Sequence, residues 1–142
     1  FNNTKIKPMD KKIKLIIVDD HEMFRAGVKV LLGKSNRIEI IGEAENGKEF
    51  LTLLEKNNPD VILMDIEMPE MDGLQASQII RNKGNKTPII ALTAHALNDI
   101  KEKCEKVGMN YFITKPIDFK NLGTLISKVL NQKFKWFFLM LN

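Results

Sequence analysis

Four short apolar runs in this chain each stop on a polar side chain that can do chemistry. "KLIIVDD" (14–20) ends in Asp19 and Asp20, "VILMD" (61–65) in Asp65, and "IIALT" (89–93) in Thr93. "YFITKP" (111–116) runs into Thr114, Lys115 and Pro116. Brought together, three carboxylates repel one another, so some must protonate or be neutralised by a cation. A hard oxygen cluster with few ligands suits Mg²⁺, which keeps several waters and shares phosphate oxygens readily. Lys115 supplies a point charge for a phosphate oxygen, and Thr93 can donate a hydrogen bond to another. An aspartate in that setting can be a nucleophile that becomes an aspartyl phosphate, in a transfer that needs positioning and charge neutralisation above all.

Each residue alone has a plainer reading. A strand-ending aspartate is more often a turn former or a cap, and Asp20 could cap a helix beginning near His21. Thr93 alone carries little information, and a lysine before proline is usually a solvated loop residue. The joint occurrence at four strand ends is what points to function.

The elements that must position these groups alternate along the chain. Strands are predicted at Ile13–Val18, Ile38–Ala44, Val61–Met64, Ile89–Leu92 and Tyr111–Thr114, short and mostly apolar, as in a parallel sheet buried on both faces. Helical stripes lie between them: Phe24, Val28, Leu31 and Leu32; then Phe50, Leu53 and Leu54; then Leu97, Ile100, Cys104 and Val107. The last stripe is Leu122, Leu125, Ile126, Val129 and Leu130, with Asp118 placed to cap it. A less periodic helix is expected from about Leu74 to Arg81. Asn46-Gly47, Asn57-Asn58-Pro59, Gly84 and Gly108 punctuate the pattern. The alternation predicts an α/β fold, a doubly wound parallel sheet with right-handed crossovers. Ligands of such sheets bind beyond the carboxyl ends of the strands, where the four polar endings fall.

Composition fits one domain. The 142 residues are 44% hydrophobic and 28% charged, with a net charge of +4 and no basic run that would argue for nucleic-acid binding. Cys104 is the one cysteine, so a reducing compartment, the cytoplasm, is expected. No apolar run approaches the roughly 20 residues that span a bilayer. Residues 1–9 read as a linker, tag remnant or leader, residues 10–131 as the folded domain, and residues 132–142, with "FKWFFLMLN", as an apolar tail. That tail would form an apolar patch if exposed, and three readings compete: packing on the domain or on a second copy as a homodimer, which is favoured, an interfacial anchor, or an end without function.

Taken together, "IIVDDHEMFR" (16–25), "VILMDIEMPEMDG" (61–73), "IIALTAHA" (89–96) and "YFITKPI" (111–117) resemble the receiver domain of two-component response regulators. The resemblance runs from about Lys12 to Leu130. It implies a flavodoxin-like (βα)5 fold with strand order 2-1-3-4-5 and a phosphorylatable switch, not a dedicated enzyme. Asp65 would be the phosphoacceptor, with Mg²⁺ held directly by Asp20 and Asp65, Asp19 assisting through water and the Glu67 carbonyl completing the protein ligands. Lys115, joined to Pro116 by a cis peptide, would pair with the phosphoryl group, and Thr93 would move to bond it. Phe112 matches the family's switch aromatic, leaving Tyr111 as an edge or surface residue. Glu67 and His95 match the positions that tune phosphoryl lifetime.

A sensor histidine kinase or histidine phosphotransfer protein is the implied donor, docking near Met23 and Phe24 of the first helix. The face of the fourth helix, fifth strand and fifth helix would carry the signal onward. The module could stand alone, or belong to a DNA-binding regulator or hybrid histidine kinase.

Other signals are rejected. "GVKVLLGKS" (27–35) has five residues between its glycines where a P-loop has four, and it lies on a helical pattern. His21, His95 and Cys104 lack zinc-ligand spacing; His21 reads as a loop or first-turn residue and Cys104 as a buried structural thiol. A flavin-binding module would need a hydroxyl-rich loop where Asp19-Asp20-His21-Glu22 stands. A Mg²⁺-dependent phosphatase with an aspartate nucleophile would place it after the first strand, in an Asp-x-Asp arrangement that is missing.

Overall fold

A computed structural model of the chain describes residues 12–130 apart from 96. The expectations for 1–9 and for the tail lie outside the described residues. Within them the elements alternate as β1 (Ile13–Val18), α1 (Glu22–Leu32), β2 (Ile38–Ala44), α2 (Gly47–Lys56), β3 (Val61–Asp65), α3 (Gly73–Asn82), β4 (Ile89–Thr93), α4 (Asn98–Lys106), β5 (Tyr111–Thr114) and α5 (Phe119–Val129). All strand pairs are parallel and the order is β2-β1-β3-β4-β5, as the resemblance implied. Asp65 and Thr93 are themselves the last strand residues, paired with Leu92 and Thr114, so β3 and β4 each run one residue beyond expectation.

Strand side chains alternate between two apolar layers. Ile13, Leu15 and Ile17 face α1 and α5, where Val28, Leu32, Leu122 and Ile126 cover them. Ile16, Val18, Ile62 and Met64 face the opposite layer with Phe50, Ala76, Ile80 and Cys104. Both faces of the sheet are therefore dry, which is why its central strands lack polar alternation.

The helix ends follow the punctuation. Asn46 caps α2 by accepting from Glu49 N–H, Asp118 caps α5 by accepting from Lys120 N–H, and Gly84 and Gly108 take φ of 86° just beyond α3 and α4. Asp72 and Gln75 form a reciprocal capping box that starts α3 one residue earlier than expected. The D-x-x-Q spacing was a readable signal for it.

Two stripe residues depart from expectation. Leu97 sits at the N-cap of α4 rather than inside it and is 59% exposed. Leu31 is also exposed, because α1 turns Arg25, Val28 and Leu32 inward. The guanidinium of Arg25 can be buried because partners at the end of β2 await it. Among the described residues, no helix is long and apolar enough to cross a membrane.

Candidate functional site

At the carboxyl edge of the sheet the fold gathers the residues that ended the apolar runs. Asp19 is fully buried. Its backbone N–H continues the β1–β2 ladder to Ala44 O at 2.9 Å. Its Oδ1 accepts the His21 N–H at 2.8 Å, and its Oδ2 accepts Lys115 Nζ at 2.5 Å. Asp65, only 4% exposed, accepts Glu67 N–H on Oδ1 at 3.0 Å and Lys115 Nζ on Oδ2 at 3.2 Å. One ammonium thus bridges the ends of β1 and β3, reaching across a separation of 96 residues from Asp19.

Lys115 is aimed there by its own backbone. Its N–H bonds Thr93 O at 2.8 Å, and the peptide to Pro116 is cis, as expected. Beyond Asp65 the chain folds back tightly, with Ile66 N–H on Leu92 O at 3.0 Å and Gly73 N–H on Ile66 O at 3.2 Å. Gly73 is required at that point. A Cβ there would lie 2.2 Å from the Asp65 carbonyl oxygen.

Asp20 does not cap α1, whose N-cap is His21. Instead its Oδ1 is buried without a hydrogen-bond partner. Asp19, Asp20, Asp65 and His21 each offer a ligand atom within 4.8 Å of the others. His21 is a helix-entry residue as read from sequence, yet its Nδ1 stands 3.1 Å from Asp19 Oδ1 and 3.3 Å from Asp20 Oδ1. Sequence reasoning left that ring out of the acidic group. Three carboxylates against one ammonium, with a buried oxygen that accepts no hydrogen bond among them, are a donor set that fits a hard divalent cation.

Electrostatics carry the same imbalance. Burial pushes the Asp65 carboxyl above its ordinary range, the charge of Asp19 adds to this, and the Glu67 N–H and Lys115 only partly oppose it. Burial lowers Lys115, but the Asp19 hydrogen bond and the charges of Asp65 and Asp19 outweigh it and hold the ammonium above its usual range.

The remaining expected residues take less central places. Thr93 is fully buried, and its hydroxyl donates to His95 O at 3.1 Å while accepting the His95 N–H at 3.0 Å. Glu67 and His95 are exposed on the two loops flanking the site. Phe112 is half-buried against the α2–α4 layer and borders a cavity of about 300 Å³ with Cys104 and Met109. Tyr111 is on the surface and Cys104 is buried, both as expected.

Arg25 is the residue that sequence reasoning missed. It is 8% exposed, donates from Nε to Glu43 Oε1 at 3.0 Å, and bonds the Asp19 carbonyl through Nη1. It ties α1, the end of β2 and the Asp19 backbone together. An arginine in register with Val28 and Leu32 was the available hint, but its acceptors become neighbours only in the fold.

A family model for the response regulator receiver domain matches residues 15–127. The transcriptional regulatory protein YdfI of Bacillus subtilis is 40% identical over 77% of this chain and 51% of its own length. The chain spans about half the length of the curated relatives it matches. Among solved structures, the receiver domain of Francisella response regulator 1452 superposes with a TM-score of 0.77 at 30% identity, covering 85% of this chain and 98% of that one. The receiver domain of sensor histidine kinase PA1611 from Pseudomonas aeruginosa, which has a magnesium ion coordinated in its active site cleft, gives 0.73 at 29%, covering 84% and 98%.

Proposed function

The chain belongs to the response regulator receiver domain family, and from that premise we propose that Asp65 is its phosphoacceptor in a two-component switch. The observation that carries this is the placement of Asp65 at a rigid strand end, with Lys115 Nζ 3.2 Å away and Asp19 and Asp20 beside it. An oxygen of the Asp65 carboxylate attacks phosphorus, the bond from phosphorus to the donor nitrogen of a phosphohistidine breaks, and a mixed anhydride is left on the strand end. Asp19, Asp20, Asp65 and the Glu67 carbonyl are the ligands proposed for Mg²⁺, which when bound supplies neutralising charge for a phosphoryl oxygen. The magnesium-bound cleft of the Pseudomonas receiver supports that choice of ion.

Lys115 then pairs with the phosphoryl group, and Thr93 gives up its bonds to His95 to reach it. Phe112 follows inward, and Glu67 and His95 set the lifetime of the adduct. The active unit is residues 10–131, a signalling domain whose catalysis is confined to its own phosphorylation and dephosphorylation. Its address is the cytoplasm. A sensor histidine kinase or phosphotransfer protein docks over α1, where Met23 is 88% exposed. The α4–β5–α5 face passes the signal to an effector or a second copy. Similarity to a transcriptional regulator supports a DNA-binding regulator as the whole protein, with this segment not itself touching nucleic acid.

Intact mass after incubation with Mg²⁺ and a small acyl phosphate tests the reading. One added phosphoryl group is expected, not formed when EDTA is present from the start and absent from Asp65→Asn. An adduct of equal size on the variant would overturn it.

A further inference from the structure

The ammonium of Lys115 has a third neighbour besides the two carboxylates. Its Nζ lies 4.3 Å from the centroid of the Phe24 ring. Phe24 stands in the first turn of α1, half-buried against the α1–α5 layer. Lys115 is itself largely covered, its side chain 18% exposed. The ammonium thus bonds the carboxylates of Asp19 and Asp65 while lying over the ring. Beyond the ring runs a groove of about 460 Å³ lined by Met23, Phe24, Val28, Leu31, Lys115 and Ile117, so the lysine stem lies along apolar surface.

From this we propose that Phe24 is a positioning residue for Lys115, holding the ammonium over the cleft through its π face. An aromatic ring attracts a cation by its quadrupole, and the attraction grows as water is excluded. The two carboxylates that hold Lys115 are also the groups a divalent cation would claim. The ring makes no such competing demand. A lysine on a flexible four-carbon stem would otherwise be free to turn outward when its carboxylate partners are engaged elsewhere. Phe24 therefore keeps the charge where an incoming phosphoryl oxygen needs it, acting through Lys115 without touching the reacting atoms.

The inference rests on the reading of Asp65 as phosphoacceptor, and its test separates the two. In the metal-free wild type, the Lys115 Hε protons should be shifted upfield in the NMR spectrum by the ring current, and Phe24→Leu should abolish that shift. With Mg²⁺ and a small acyl phosphate, Phe24→Leu should form the adduct about three to ten times more slowly. A ring-fluorinated phenylalanine at position 24, equal in shape but poor in π charge, should react at an intermediate rate. Absence of the ring-current shift in the wild type would overturn the proposal. A wild-type rate for the fluorinated ring would also overturn it, since the ring would then merely fill space. A wild type that takes no phosphoryl group while keeping the shift would refute the reading of Asp65 and leave the placement of Lys115 by Phe24 standing.

Discussion

At the scale of single residues, the site is arranged for charge it does not itself balance. Asp20 shows this directly, with one carboxylate oxygen buried without a hydrogen bond, 3.3 Å from the His21 ring nitrogen and beside Asp19 and Asp65. Neutralising it relieves repulsion among like charges, so Asp20→Asn should stabilise the metal-free protein by about 1 kcal/mol. With Mg²⁺ at the proposed site the wild type should gain further stability, and the same change should remove that gain. Urea unfolding in EDTA and in Mg²⁺ measures both, and a variant weaker than wild type in EDTA would contradict the account. Glu43 behaves in the opposite sense. The Lys29 hydrogen bond at 2.7 Å holds its carboxyl below the ordinary glutamate range, against a smaller upward push from burial, with Arg25 assisting. A carboxyl depressed in the folded state lends stability above its unfolded value, and that stability is lost as the pH falls through the folded value. Glu43→Gln should therefore be less stable than wild type at about pH 7, and the gap should close below the ordinary glutamate range. Denaturant midpoints across that window decide it.

At the scale of elements, what matters is how strands and loops meet. The β3–α3 connection is folded so closely that Gly73 faces the Asp65 carbonyl, and a methyl group there would stand 2.2 Å from that oxygen. The obstacle is backbone rather than a pliable side chain, so Gly73→Ala must move either the start of α3 or the strand end that carries Asp65. The expected cost is about 1–3 kcal/mol in stability, together with slower phosphorylation of whatever protein folds. Unchanged stability and an unchanged rate of adduct formation would show that the turn is looser than its geometry indicates. This requirement was invisible in the sequence, because the Asp65 carbonyl becomes a neighbour of Gly73 only in the fold. The capping box of Asp72 and Gln75 was legible by spacing. Strands were the most legible elements, because burial on both faces leaves an unbroken apolar run whose end is marked by the first polar residue. Helix faces were less so: Leu31 and Leu97 have the right chemistry for a stripe, but a buried Arg25 and a late start to α4 set them outside.

At the scale of the whole molecule, parallel topology does the assembling. Every strand ends at one edge, so Asp65 and Thr93 at strand ends and Asp19 and Lys115 one residue beyond them are gathered there whatever their distance along the chain. That is why the core of the candidate site could be read from strand endings alone. The groups that were missed, Arg25 and the ring of His21, depend on side-chain directions that no strand ending reports. The central claim is that this convergence makes Asp65 the nucleophile. Its most direct test is to phosphorylate the protein with a small acyl phosphate, reduce the adduct with borohydride, and sequence the peptides by mass spectrometry. Reduction converts an aspartyl phosphate to homoserine, so the account predicts homoserine at position 65 and at no other aspartate. Homoserine at Asp19 or Asp20, or a phosphoryl group found on His21, would contradict it.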